Sequence, residues 1–322
     1  GIPIAGNFLQ QELAIITGVV DAMVVDVQCE MQSIHQVAEC FHTEIITTSP
    51  KAKIEGATHI EFDNHDAINS AKKIVAAAIA RFPHRKGKAD IPKETSPRVV
   101  GFSHETINYL LGGSFRASYR PLNDNIINGR IRGIAGVVGC NNARTVHDQA
   151  HLVLIKELIK NDVIVLTTGC SAMACGKAGL LVPEAAKYCG AGVDNSRILA
   201  AATAVVKEGG LGDDISDLPA AGCAPEWMSE KAIAIGHYFV ASGVYTIFGV
   251  TFPTTGSKVV TDYLFQELEE KWGGMWGFAK DPLEMARMMI AHIDKKRKAL
   301  GIDKARERVL FDMEMRRELD AV

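Results

Sequence analysis

Short apolar runs alternate with longer stretches of helical periodicity along most of this chain. Met23-Val24-Val25-Asp26-Val27-Gln28 has the length and branched content of a buried strand, and the spacing from Met31 to Cys40 predicts a helix after it. Glu44 to Thr48 and Thr58 to Phe62 read as two further strands. Residues 65–81 read as a long helix that sets Ile68, Ala71, Ile74, Val75 and Ala78 on one face. Strand, helix, strand in succession builds a parallel sheet flanked by helices.

From Phe82 to Arg98 the pattern stops. This stretch holds three prolines, several basic residues and little that is apolar, the composition of a linker. A second series follows, with strands expected over Ile131 to Gly139, Val163 to Thr168 and Val244 to Val250. Helices are expected over Thr145 to Lys160, Ala174 to Tyr188 and Lys231 to Val240. The tail from Pro282 has helical spacing, and its Lys/Arg/Glu-rich end reads as a solvated face. The expected fold class is α/β, with two Rossmann-like, doubly wound parallel-sheet domains over residues 1–93 and 94–322.

Composition agrees with two cored domains: the chain has 322 residues, of which 47% are hydrophobic. A formal net charge of −3 gives no argument for a nucleic-acid partner or an anionic membrane surface. No apolar run approaches the length of a transmembrane segment. The opening Gly1-Ile2-Pro3-Ile4-Ala5-Gly6-Asn7 has neither the charged nor the apolar region of a signal peptide. The expected location is therefore cytoplasmic. With no initiator Met, the natural N-terminus is expected upstream.

The seven cysteines are an odd number in a long chain without a secretion signal, so a disulfide framework is not expected. Cys29, Cys140 and Cys170 share one setting, just past a predicted strand and before a predicted helix. That edge of a parallel sheet is where ligands bind, and helix N-termini there favour thiolates. None of the three belongs to a CxxC pair, which disfavours a structural zinc site. Soft thiolates without paired spacing suit an iron–sulfur cluster at the interface of two domains, while small buried apolar cysteines remain the alternative. Core packing is the expectation for Cys40 on its helix and for Cys223 in a turn before Ala224-Pro225. Cys175 and Cys189 stay open between packing and a place beside a cluster. His147 and His151, four apart on one helix, lack a third ligand and read as surface or core residues. No nucleotide-binding glycine fingerprint and no Ser/His/Asp order is legible.

Taken together, seven segments resemble the nickel–iron carbon monoxide dehydrogenases. They are Val25-Asp26-Val27-Gln28-Cys29, Cys40-Phe41-His42-Thr43, Ile46 to Lys53, Val138-Gly139-Cys140-Asn141-Asn142, Thr168-Gly169-Cys170, Val193-Asp194-Asn195-Ser196-Arg197 and Ala224 to Lys231. The resemblance runs from the first residue to about Ala299. It implies reversible oxidation of CO with water to CO2, two protons and two electrons, at a nickel–iron–sulfur cluster of the Ni-4Fe-4S type. It implies that Cys29, Cys140 and Cys170 each bind one iron, and that Lys231 stands beside the substrate. It further implies additional 4Fe-4S clusters on an N-terminal domain preceding Gly1, a homodimer, a ferredoxin-like electron acceptor and an acetyl-CoA synthase as a further partner. Two departures stand out. The ligands of the external iron would precede Gly1, and Gly192 occupies the place of the nickel-binding cysteine, with the spacing from Cys170 to Val193 shorter than the family pattern. The hybrid-cluster, hydroxylamine-reductase-like enzymes are the runner-up, and a cluster-deficient structural or electron-transfer scaffold is a third reading.

Overall fold

The computed structural model describes residues 6–87 apart from Gln28, isolated positions between 89 and 109, then residues 120–190, 219–227, 230–251 and 258–311 apart from Val309. The chain divides into two compact units, residues 1–96 and 97–322.

The first unit runs α1 (Gln11–Ile16), β1 (Ala22–Val25), α2 (Ile34–Glu39), β2 (Glu44–Thr47), β3 (Thr58–His59) and α3 (Ala67–Arg81). Its three strands form a parallel sheet in the order β1-β2-β3. Ile15, Ile34, Ala38, Ile45 and Ile54 make its core. Three expectations need correcting here. The third strand is only two residues long, because Ile60 and Phe62 bond to Thr47 and Thr48 without extending the ladder. The apolar stripe of α3 does not face inward: Ile68 and Val75 are exposed, and Ser70 is the buried residue of the helix. So small a sheet offers the helix little surface, and its bonds run instead through Ser70 to Asp63 and Arg81 to the His42 carbonyl. Cys40 is exposed at the C-terminus of α2, its thiol turned back to the Gln36 carbonyl, and so does not pack in a core.

The second unit runs α4 (Arg120–Ile127), β4 (Gly133–Val137), α5 (Gln149–Lys160), β5 (Val163–Thr167), α6 (Gly169–Lys177), β6 (Ala220–Trp227), α7 (Glu230–Ala241), β7 (Tyr245–Thr251), α8 (Lys258–Trp272), β8 (Trp276–Phe278) and α9 (Pro282–Ala299). All five strands are parallel, in the order β5-β4-β6-β7-β8. The alternation of side chains along β4 shows both faces covered. Ala135 and Val137 join Leu154 and Leu158 of α5 and Met285, Met289 and Ile293 of α9 in the main core. Gly136, one residue out of phase, lies against Phe239 of α7 on the opposite face. This is the α/β architecture expected from the strand–helix alternation.

Local differences have identifiable causes. The helix expected from Thr145 begins at Gln149, because Thr145 and Asn142 close a turn before it. The segment read as one helix over Ala174 to Tyr188 is α6 followed by a 3-10 turn over Pro183–Tyr188, interrupted where Gly179 takes φ +71°. Cys223 lies inside β6 and not in a turn. The tail is helical as expected, with Met285, Ala286, Met289 and Ile293 of α9 in the core, but its charged end is not wholly solvated. Arg297 is buried and donates to the carbonyls of Ile126, Ile131, Arg132 and Ile302.

Candidate functional site

The strand order of the second unit reverses between β4 and β6. The chain leaves β4 toward β5 on one side, then crosses to β6 on the other, so the connections diverge at the carboxyl edge. In open parallel sheets the crevice at such a reversal is the usual ligand site. Cys140 follows β4 at this point.

Val138 N–H donates to the Cys223 carbonyl at 2.9 Å and Cys140 N–H donates to the Glu226 carbonyl at 2.8 Å. The donors are two residues apart and the acceptors three, so β6 carries an extra residue there, at Ala224-Pro225. A bulge is where a central strand can hold a proline. The Glu226 carbonyl oxygen lies 2.3 Å from where a Cβ at position 139 would sit, and Gly139 has φ +129°. Only glycine fits.

The same glutamate holds the loop that follows. Its Oε2 accepts from Asn142 N–H at 3.1 Å and from the Thr145 hydroxyl at 2.8 Å. Glu226 is 1% exposed, and its Oε1 makes no hydrogen bond. From α5, His151 Nε2 donates to the Cys140 carbonyl at 2.8 Å, which places the proton on Nε2. Burial pushes His151 below the ordinary imidazole range, opposed by its bond to Cys140 and by the charges of Glu226 and Asp148. The imidazole is therefore a neutral fixture of the loop. Cys140 itself is buried.

On the neighbouring strand, β5 ends at Thr167, Gly169 takes φ +59°, and Cys170 is the second residue of α6. A Cβ at Gly169 would stand 3.7 Å from the Gly139 carbonyl, so the two cysteine-bearing loops lie against each other. Cys170 thus stands in the first turn of α6, at the positive end of the helix dipole. Cys140 differs from its expected setting, since eight residues separate it from its helix, against none for Cys170.

Lys231 is exposed in the first turn of α7, directly after β6, on the same edge of the sheet. Cys29 lies in the first unit, four residues past the end of β1. It has φ +61°, an uncommon backbone state for a residue with a side chain. Gln11 straps this turn, its amide donating to the Cys29 carbonyl and its Oε1 accepting from Met31 N–H at 3.1 Å.

Apart from the exposed Cys40, the remaining thiols serve packing. Cys223 is fully buried against Met285 and burial pushes its thiol far up; Cys175 is pushed up to about 12, chiefly by burial. Cys189 packs half-buried against the main core. Among the described residues no group of three or more His, Cys, Asp and Glu side chains is gathered as a metal site. The segment around Gly192 and Val193 lies outside the described residues. Sequence reasoning missed Glu226 and Asp148. A single carboxylate within the apolar run Ala220 to Trp227 was a signal for the first.

The sequence profile of the Prismane/CO dehydrogenase family matches residues 1–283. "Carbon monoxide dehydrogenase 1" of Methanosarcina mazei is 49% identical over 323 residues, covering 94% of this chain and 50% of the relative. "Carbon monoxide dehydrogenase 1" of Carboxydothermus hydrogenoformans is 43% identical over 332 residues, covering 94% of this chain and 52% of the relative. A nickel-free crystal structure of carbon monoxide dehydrogenase from Thermococcus sp. AM4 superposes with a TM-score of 0.75 at 46% identity, over 94% of this chain and 50% of that one. The chain thus spans about half the length of the curated relatives it matches.

Proposed function

This chain belongs to the Prismane/CO dehydrogenase family, and from that premise we propose that it is the cluster-binding part of a carbon monoxide dehydrogenase. The reaction is CO + H2O to CO2 with release of two protons and two electrons, and its reverse. The observation that carries this reading is the pair of cysteines, Cys140 and Cys170, on touching loops at the switch point of a sheet whose relatives are carbon monoxide dehydrogenases.

The residues present fit the iron–sulfur part of a nickel–iron–sulfur cluster. Soft thiolates are its natural ligands, and glycines at 139 and 169 keep side chains out of the approach. Cys140 and Cys170 would each hold one iron, and Cys29, on the first unit, a third. The cluster, when bound, supplies the redox-active metals that accept the two electrons of each CO oxidised. The chain's own contribution is positional: Glu226 and His151 fix the Cys140 loop. Lys231 places a cation at the same edge, suited to negative charge developing on a substrate oxygen. Electrons leave to a ferredoxin-like acceptor. We place the working enzyme in the cytoplasm as a homodimer; among the described residues no helix is long and apolar enough to cross a membrane. A relative from Moorella thermoacetica is named as a subunit of a carbon monoxide dehydrogenase/acetyl-CoA synthase, which motivates testing the synthase as a partner.

Anaerobic purification with iron and nickel analysis, combined with CO-dependent viologen reduction, tests the proposal. Cys140→Ala and Cys170→Ala should each lose iron and CO oxidation. Full iron content in both variants would remove these cysteines from the ligand set. Iron without nickel, coupled to hydroxylamine reduction, would instead assign the hybrid-cluster chemistry, and a folded protein without metal would leave a scaffold.

A further inference from the structure

Asp148 immediately precedes α5 at a position where an aspartate ordinarily caps the helix by accepting from its first N–H groups. Here it makes no such bond. Its carboxylate points elsewhere, although the residue is 8% exposed and sits at φ +63°, a left-handed conformation unusual for a residue with a side chain. Such a conformation persists where the surroundings over-determine it, and three contacts do so. Oδ1 accepts from Asn141 Nδ2 at 2.9 Å. Oδ2 pairs with Lys177 Nζ at 2.6 Å, and His147 Nε2 lies 3.4 Å from Oδ1. Lys177 Nζ also lies 3.1 Å from His147 Nε2, which closes the set.

The partners are not arbitrary. Asn141 directly follows Cys140, and Lys177 is the last residue of α6, whose first turn carries Cys170. One carboxylate therefore ties the loop of one thiol to the helix of the other. We propose that Asp148 is a positioning residue that sets the separation of the Cys140 and Cys170 thiols. This rests on both cysteines being cluster ligands, and it adds the element that makes their spacing a property of the fold. A charge-assisted bond to Lys177 is short and directional, so α6 cannot rotate or slide without breaking it. The bond to Asn141 transmits the same constraint to the residue beside Cys140. Giving up helix capping and a relaxed backbone in exchange for these contacts is the pattern of a residue serving the site.

The test uses the metal-loaded protein and reads iron release to a chelator under anaerobic conditions, with the electron paramagnetic resonance spectrum of the reduced cluster. Asp148→Asn should release iron about ten-fold faster, the scale at which outer-shell partners of metal ligands act, and should shift the spectrum. Lys177→Met, altering a partly exposed side chain, should do the same even if Asp148→Asn folds poorly. Arg306→Gln is the comparison, because it cuts the Arg306–Asp162 pair elsewhere in the unit. It should leave iron release and spectrum as in the parent. Equal acceleration by Arg306→Gln, or release within two-fold of the parent in both Asp148→Asn and Lys177→Met, would overturn the positioning role. Retention of iron in Cys140→Ala would overturn the ligand assignment beneath it, a separate result.

Discussion

Glu226 illustrates how much of the site depends on groups that carry no reactivity of their own. Its backbone carbonyl receives Cys140 N–H and its carboxylate receives Asn142 and Thr145, so both ends of one residue hold one loop. Glu226→Ala would strand one buried donor, the Asn142 N–H, at a cost of about 1–3 kcal/mol, while the half-buried Thr145 hydroxyl keeps the Asn142 carbonyl as its acceptor. A fall of that order in unfolding free energy is expected from denaturant titration, together with reduced iron loading. Lys231 offers the contrast. It is exposed and bears on no core, so Lys231→Ala should leave the metal content and the unfolding midpoint unchanged. CO-dependent viologen reduction by the same variant should fall by about 10²-fold, the scale for losing one charge-stabilising donor; unchanged turnover would reduce Lys231 to a surface charge.

Among the elements, β4, β5, α7 and the general course of the two sheets were legible because their apolar runs are short, branched and separated by helical spacing. What failed to show in the sequence was which apolar positions find a partner. Ile68 and Val75 have the spacing of an inner face, yet the sheet beneath α3 is too narrow to cover them. Arg297 has the composition of a solvated tail, yet its guanidinium finds four carbonyls inside the fold. Pro225 argued against a strand by local propensity and was accommodated by a bulge that only the opposite strand reveals. The helix α9 also carries a titration. His292 stacks on Tyr245 at 4.5 Å between ring centroids, and its Nε2 makes no hydrogen bond. Burial, then Lys296 and Lys295, pull its pKa down to about 4. In the unfolded chain an imidazole titrates near 6.5. Between about pH 6.5 and 4 the unfolded state therefore binds more protons, and stability must fall as the pH falls. A His292→Phe variant, which retains an aromatic ring for the stack, should show a shallower loss of melting temperature over that window.

At the scale of the whole molecule, the main core among the described residues lies in the second unit, while the proposed function draws on residues of both units. Family membership was legible from the order of seven short motifs, and the composition alone would never have supplied it. The positioning network escaped notice because Asp148, Asn141 and Lys177 are ordinary surface residue types whose meaning comes from being brought together. If a cluster binds the folded state alone, ligation adds to folding stability. Stripping iron and nickel with a chelator should lower the melting temperature of the parent protein. The Cys140→Ala variant should already melt at the lower temperature, with no further change on chelation. A chelator-dependent drop of equal size in that variant would show metal held elsewhere.

The two glycines beside the thiols restrict sequence in different ways. At 139 the obstacle is matter, the Glu226 oxygen standing where a first carbon would go, and no choice of side chain evades it. At 169 nothing lies closer than 3.7 Å, and the obstacle is only a backbone angle that asparagine and aspartate tolerate better than other residues. A library randomised at both positions and selected for the folded, metal-binding protein would then return a single letter at one and a short alphabet at the other.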